Sequence, residues 1–185
     1  EYISDSFSSK NTAMLIFNKN LSVCPLTTHE PIKLVSKKIN QKLIINKVRL
    51  INNFYKNYLG YVPKIGVTGL NPHCESSLSK NEDTNIIKPA IKYLRKLNFN
   101  ISGPFPADTI FLKKNRKEFN VIIGMYHDQV LGPLKTIYEY DAINITLGLP
   151  FIRISPDHGP NVKMIGKNLS DPLSLIKAIL FLDKN

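Results

Sequence analysis

Cysteine is scarce in this 185-residue chain: Cys24 and Cys74 are too few for a disulfide framework. A reducing, cytoplasmic setting is the simpler reading. No apolar run approaches the roughly 20 residues needed to span a bilayer, so no membrane partner is expected. Glu1-Tyr2-Ile3-Ser4-Asp5 lacks the basic-then-apolar order of a secretory signal. Acidic residues are also short, 14 against 25 basic ones, which leaves a formal charge of +11. Such a balance raises nucleic acid as a partner. Arginine, whose planar fork grips phosphate and guanine, is however rare: Arg49, Arg95, Arg116 and Arg153 are the four, and the other basic residues are scattered lysines. The densest cluster, Lys113-Lys114-Asn115-Arg116-Lys117, reads as a solvated turn, and no nucleic-acid partner is expected. What is abundant is ordinary globular material, 43% hydrophobic and 21% charged.

The apolar pattern alternates between short runs and helical spacing. Residues 13–17 and 21–26 read as strands separated by the polar turn Asn18-Lys19-Asn20. From Pro31 onward, Ile32, Val35, Ile39, Leu43, Ile44, Val48, Ile51, Tyr55 and Leu59 recur every three or four residues. That spacing predicts a helix stopped by Gly60. Strands are predicted at 64–68, 120–124 and 142–146 and a helix at 86–97. A final helix is predicted to start at Asp171-Pro172, with the aspartate as its cap. Strands alternating with helices predict an α/β fold with a largely parallel sheet flanked by helices.

In open α/β sheets ligands bind beyond the carboxyl ends of strands. His29, His73 and His127 all fall where a predicted strand runs into a loop. Each alone reads more readily as a loop-packing or helix-capping residue, but three at one sheet edge suit a divalent ion with a coordination position left open. Their spacing matches no local metal motif such as HExxH. Lys135, Asn144 and Arg153 would suit an anionic substrate. Lys135 also reads as a surface lysine, whereas Arg153, among Phe151, Ile152 and Ile154, is expected to be buried with an anionic partner.

Read in order, several segments resemble the 4-hydroxythreonine-4-phosphate dehydrogenase family of pyridoxal phosphate biosynthesis. They are Thr27-Thr28-His29, Gly69-Leu70-Asn71-Pro72-His73, Gly103-Pro104-Phe105-Pro106-Ala107-Asp108-Thr109, Met125-Tyr126-His127-Asp128-Gln129, 143–153 and Ser155-Pro156-Asp157-His158-Gly159. The resemblance implies an architecture like that of isocitrate and isopropylmalate dehydrogenases. It implies that His29, His73 and His127 hold a divalent metal (zinc, magnesium or cobalt) at a site completed across a homodimer interface. It implies that Lys135, Asn144 and Arg153 contact a small phosphorylated hydroxy amino acid, with Asp108 and Lys135 as the catalytic candidates. Asp157, His158 and Gly159 fall on the side of an NAD or NADP cofactor. The implied reaction oxidises 4-phosphooxy-L-threonine to a β-keto acid that decarboxylates to 3-amino-2-oxopropyl phosphate. Residues 1–155 would form the metal, substrate and dimerisation domain, and 156–185 a segment of an incomplete second, cofactor-side domain.

The chain departs from the family pattern at three places. Cys74 to Lys80 replaces a glycine-rich stretch, which removes positive-φ options and predicts a displaced loop. Val130 stands where glycine is frequent and is expected to alter the turn, and Pro160-Asn161 replaces small residues near the cofactor side. Family members also carry an N-terminal region, including a substrate-binding Gly-His-Thr, ahead of the position matching Glu1. The chain therefore reads as a C-terminal portion. Three other readings stand beside the dehydrogenase: a relative acting on another phosphorylated four-carbon hydroxy acid, a truncated non-catalytic remnant that dimerises, and a basic nucleic-acid module.

Overall fold

A computed structural model describes residue 7 and residues 11–74, 81–159 and 162–183. Seven strands form one sheet: β1 (Ala13–Phe17), β2 (Ser22–Pro25), β3 (Ile65–Thr68), β4 (Ile101–Phe105), β5 (Val121–Gly124), β6 (Ile143–Leu147) and β7 (Arg153–Pro156), in the order β4-β3-β5-β2-β1-β6-β7. β4, β3, β5 and β2 are mutually parallel, and β1 pairs antiparallel with both β2 and β6. β6 therefore points the same way as β2, while β7 returns antiparallel to β6. The α/β fold with a largely parallel, helix-flanked sheet is as the alternating pattern predicts.

Two of these strands, β4 and β7, escape the sequence pattern, and both are edges. β4 contains Gly103-Pro104 and β7 ends on Pro156. Proline lacks the amide that a central strand must donate, so inside a strand it favours an edge (Pro25 is only the last residue of central β2), where apolar alternation is also weakest.

The predicted helix over 31–59 is divided. Helix α1 (Ile32–Lys38) ends at Ile39, and Asn40 takes an extended backbone from which its side chain accepts a hydrogen bond from the Leu43 amide at 2.9 Å, starting α2 (Gln41–Phe54). A short polar side chain that satisfies a free helix-end amide favours a cap over continuation. A π-helical turn (Tyr55–Leu59) extends α2 until Gly60, at φ 78°, stops it as predicted. A second π turn (Asp83–Ile87) leads into α3 (Lys88–Lys96). The lysine cluster is a one-turn exposed helix, α5 (Lys113–Arg116), just after the short α4 (Ala107–Ile110). α6 spans His127–Tyr138. The last helix, α7 (Leu173–Asp183), begins after Pro172, with Asp171 Oδ1 accepting from the Leu173 amide at 2.8 Å.

Side chains alternate across the sheet. Leu15, Val121, Ile123 and Ile145 point to a core shared with Ile44, Val48 and Ile51 of α2 and Leu94 of α3. Ile16, Val23 and Ile122 point to the opposite face, under Val130, Leu131 and Leu134 of α6. Each such fully buried branched side chain contributes about 1.5–3 kcal/mol of burial free energy. Val130 sits fully buried inside α6 over Gly124, where an added Cβ would lie 2.3 Å from it. The 155/156 division expected from the resemblance falls inside β7, and Ala178 of α7 joins the first core.

Candidate functional site

The common direction of β2, β3, β4 and β5 delivers four loops to one edge of the sheet. His29 follows β2, His73 follows β3, Asp108 follows β4 and His127 follows β5 as the first residue of α6. The His29 and His127 rings face each other with centroids 6.0 Å apart. His127 Nδ1 lies 2.7 Å from Asp128 Oδ1, a pairing that leaves Nε2 for a ligand and orients the ring. Two facing imidazoles, one carboxylate-supported, are a donor set suited to a divalent cation.

His73 is not gathered with them. It is exposed on a one-turn 3-10 segment (Pro72–Cys74), and among the described residues no group of three His, Cys, Asp or Glu side chains is close enough to hold a metal. The local backbone has a physical origin. Where a glycine-rich stretch would supply positive φ, His73 and Cys74 themselves adopt φ 57° and 59°, a conformation that costs a side-chain-bearing residue energy. Residues 75–80, the remainder of that departure, and Pro160-Asn161 lie outside the described residues.

Asp83, which the sequence reading passed over, anchors the same loop. Fully buried, it accepts from the Leu70 amide at 2.8 Å and, through its other oxygen, from the Asn71 amide and side chain at 3.1 and 2.7 Å. An aspartate in a polar stretch gives no periodic signal of burial. Asp108 is exposed in the first turn of α4, near enough to influence Cys74 electrostatically. Burial raises the Cys74 thiol and pushes Cys24 up to about 11, so neither cysteine is primed as a thiolate nucleophile.

A second group of predicted residues lies on the α6 face of β6 and β7. Alternation along β6 sends Ile143 and Ile145 to the α2 core and sets Asn144 and Thr146 on the other side. Cross-strand register pairs Thr146 with Arg153 and Asn144 with Ser155. Arg153 is half-buried, and its Nη1 donates to Thr146 Oγ1 at 3.2 Å. The expected buried arginine with an anionic partner is thus corrected: among the described residues Arg153 pairs with no carboxylate. β7 is an edge strand, which leaves the guanidinium partly open. Asn144 Oδ1 is buried and, among the described residues, accepts no hydrogen bond. An acceptor and a guanidinium on one sheet face, neither with a charged partner among the described residues, suit a polar, anionic ligand.

Lys135, eight residues or about 12 Å along α6 from His127, is not a free surface lysine. Its Nζ lies 2.9 Å from Asp157 Oδ2 and also donates to the Asp157 carbonyl. Burial pushes the Asp157 carboxyl up, and the Lys135 ammonium beside it pulls it back. The Asp157 amide donates to Ser174 Oγ at 2.7 Å, and that hydroxyl donates to the Ala142 carbonyl, tying α7 to the ends of β6 and β7. His158 and Gly159 are exposed. A cleft of about 1010 Å³ brings Lys135, His158, Gly159, Gly166, Asn168 and Asp171 together, at the upper end of the range for small-molecule sites.

The family described as pyridoxal phosphate biosynthetic protein PdxA matches residues 1–182. The chain belongs to this family. A 4-hydroxythreonine-4-phosphate dehydrogenase of Sulfurihydrogenibium sp. is 46% identical over 182 residues, covering 97% of this chain and 56% of its own. One from Bradyrhizobium diazoefficiens is 41% identical over 169 residues, covering 90% and 49%. Among solved structures, 4-hydroxythreonine-4-phosphate dehydrogenase from Klebsiella pneumoniae superposes with a TM-score of 0.81 at 31% identity, covering 97% of this chain and 55% of that one. The chain thus spans about half the length of these PdxA relatives, and the dehydrogenase-like fold is shared throughout it.

Proposed function

We propose that this protein contributes the metal- and substrate-binding half of a 4-hydroxythreonine-4-phosphate dehydrogenase. The reaction oxidises 4-phosphooxy-L-threonine with NAD or NADP. The hydroxyl-bearing carbon gives a hydride to the nicotinamide and the hydroxyl gives up its proton. The resulting β-keto acid loses carbon dioxide, leaving 3-amino-2-oxopropyl phosphate. The observation that carries this reading is the family match along 182 residues, a span that includes every predicted site residue.

In this reading Arg153 and Asn144 receive the substrate's anionic and polar groups, Arg153 by charge-assisted hydrogen bonds and Asn144 through its amide. Lys135, held by Asp157, contributes a second cation without requiring an unpaired buried charge. Asp108, at the edge that carries the histidine loops, is the carboxylate candidate for proton transfer. His29, His127 and, from its separate loop, His73 would hold the divalent ion. When bound, that ion would lower the pKa of the substrate hydroxyl and stabilise negative charge on its oxygen. Completion of the site by a second copy of the chain accords with the gathering of only two histidines within one copy. The cleft lined by His158, Gly159 and Gly166 is assigned to the cofactor, and with it residues 156–185 to the cofactor side.

The test is to supply the purified protein with a divalent metal, 4-phosphooxy-L-threonine and NAD or NADP, and to follow reduced nicotinamide alongside calorimetric binding of the substrate. Substrate-dependent reduction, or substrate binding alone, that is weakened in Arg153→Ala supports the assignment. Neither turnover nor binding with any cofactor and metal combination would contradict it.

A further inference from the structure

The three histidines sit on loops leaving three different strands, so their spacing depends on whatever ties those loops together. Gln129, two residues after His127, does this with one side chain. Its Oε1 accepts from the Met125 amide at 2.6 Å and from Thr68 Oγ1 at 2.8 Å, while its Nε2 donates to the Gly69 carbonyl at 2.8 Å. The β5 loop is thereby joined to the end of β3 and to the start of the loop that leads to His73. Met125 carries the connection onward: its carbonyl accepts from Thr27 Oγ1 at 2.8 Å and from the Thr27 amide at 3.3 Å, on the β2 loop two residues before His29. Gln129, Met125, Thr68 and Thr27 are all buried, so water does not replace a bond that is lost.

The chemistry of the joint selects a carboxamide. One planar group must accept twice and donate once, and only glutamine or asparagine offers both functions. Asparagine is one methylene short. Glutamate keeps the oxygen that faces Met125 and Thr68 but turns a second oxygen towards the Gly69 carbonyl. Space for the group is kept by Gly124, where an added Cβ would lie 3.1 Å from Gln129 Oε1.

We propose that Gln129 is a positioning residue whose carboxamide sets the mutual spacing of the His29, His73 and His127 loops, and through that spacing the affinity of the site for a divalent cation. The second clause rests on the metal-site reading above; the first stands without it.

Two variants and two readouts separate these. Gln129→Met keeps the length of the side chain and removes all three hydrogen bonds; Gln129→Glu keeps the acceptor and removes the donor. Amide hydrogen exchange, measured without metal on variants whose melting confirms that they are folded, reads the joint. Exchange at Met125 and Thr27 is expected to rise in Gln129→Met, with Met125 remaining protected in Gln129→Glu. Titration with cobalt(II) alone, read from its visible absorption, gives the affinity. Gln129→Met is expected to weaken binding about 10- to 100-fold, the usual effect of losing a group that orients metal ligands, and to alter the band shape. Gln129→Glu is expected to fall between Gln129→Met and the wild type. Unchanged exchange in the three loops of Gln129→Met overturns the joint. Loosened loops with wild-type cobalt affinity and spectrum overturn its link to the site. Absence of cobalt binding in the wild type, with loosened loops in Gln129→Met, overturns the metal-site reading and leaves the joint standing.

Discussion

Arg153 opens β7 and Asp157, four positions on, follows its last residue, and their contrasting partners lead to opposite expectations. Among the described residues the Arg153 guanidinium donates to the neutral Thr146 hydroxyl at 3.2 Å and pairs with no carboxylate, and in the proposed reading its charge is offered to a ligand. Arg153→Ala is expected to cost about 1.5–3 kcal/mol of substrate affinity, the range for a hydrogen bond to a charged group, with little change in melting temperature. Calorimetric titration with 4-phosphooxy-L-threonine checks this, and unaltered affinity would remove Arg153 from the site. Asp157 is instead a buried carboxylate paired with the Lys135 ammonium, while its backbone amide donates to Ser174 Oγ. Burial raises its pKa in the folded state, so the native protein holds this proton more tightly than the unfolded chain does. The stabilising contribution is complete below the unfolded pKa and is lost as pH rises through the folded one. The stability of the wild type relative to Asp157→Asn should therefore decline as pH rises from about 4, the ordinary carboxylate value. Urea denaturation across that range measures it, and a relative stability that climbs with pH would show that the Lys135 ion pair outweighs burial.

At the scale of elements, the Asn40 cap turns one predicted helix into two. Its removal by Asn40→Ala should destabilise the protein by about 1 kcal/mol, measured by chemical denaturation; a neutral substitution would mean that packing of Val35 and Ile44 alone sets the break. The strands at 13–17 and 121–124 were legible because each alternates or fills with β-branched and apolar residues between polar turns. β4 and β7 were not, because Gly103-Pro104 inside β4 and Pro156 at the end of β7 interrupt the apolar pattern, and a sequence does not reveal the edge position that accommodates them. Of the candidate site residues, the histidines after β2, β3 and β5 were singled out by their strand–loop junctions, and Lys135, Asn144 and Arg153 by residue chemistry together with the resemblance. The roles of Gln129, Asp83 and Ser174 were not: each acts through hydrogen bonds to residues far away in sequence, and no local spacing encodes such partners. The separation of His73 from the other two histidines was equally hidden, as was the left-handed backbone of His73 and Cys74.

At the scale of the whole molecule, the chain belongs to the PdxA family and spans about half the length of the relatives it matches, and the sheet of its described residues presents two candidate surfaces. Histidine-bearing loops occupy one edge, and an anion-ready face with an adjoining cleft lies between α6 and β7. Among the described residues, no helix is long and apolar enough to cross a membrane. The claim that unites these surfaces is that the histidine edge is a metal site and not a packing arrangement. Elemental analysis of the purified protein beside His127→Ala tests it most directly. The account predicts stoichiometric divalent metal in the wild type, after reconstitution if necessary, and its loss in the variant. Absence of metal from the reconstituted wild type, or retention of it by His127→Ala, would contradict the account.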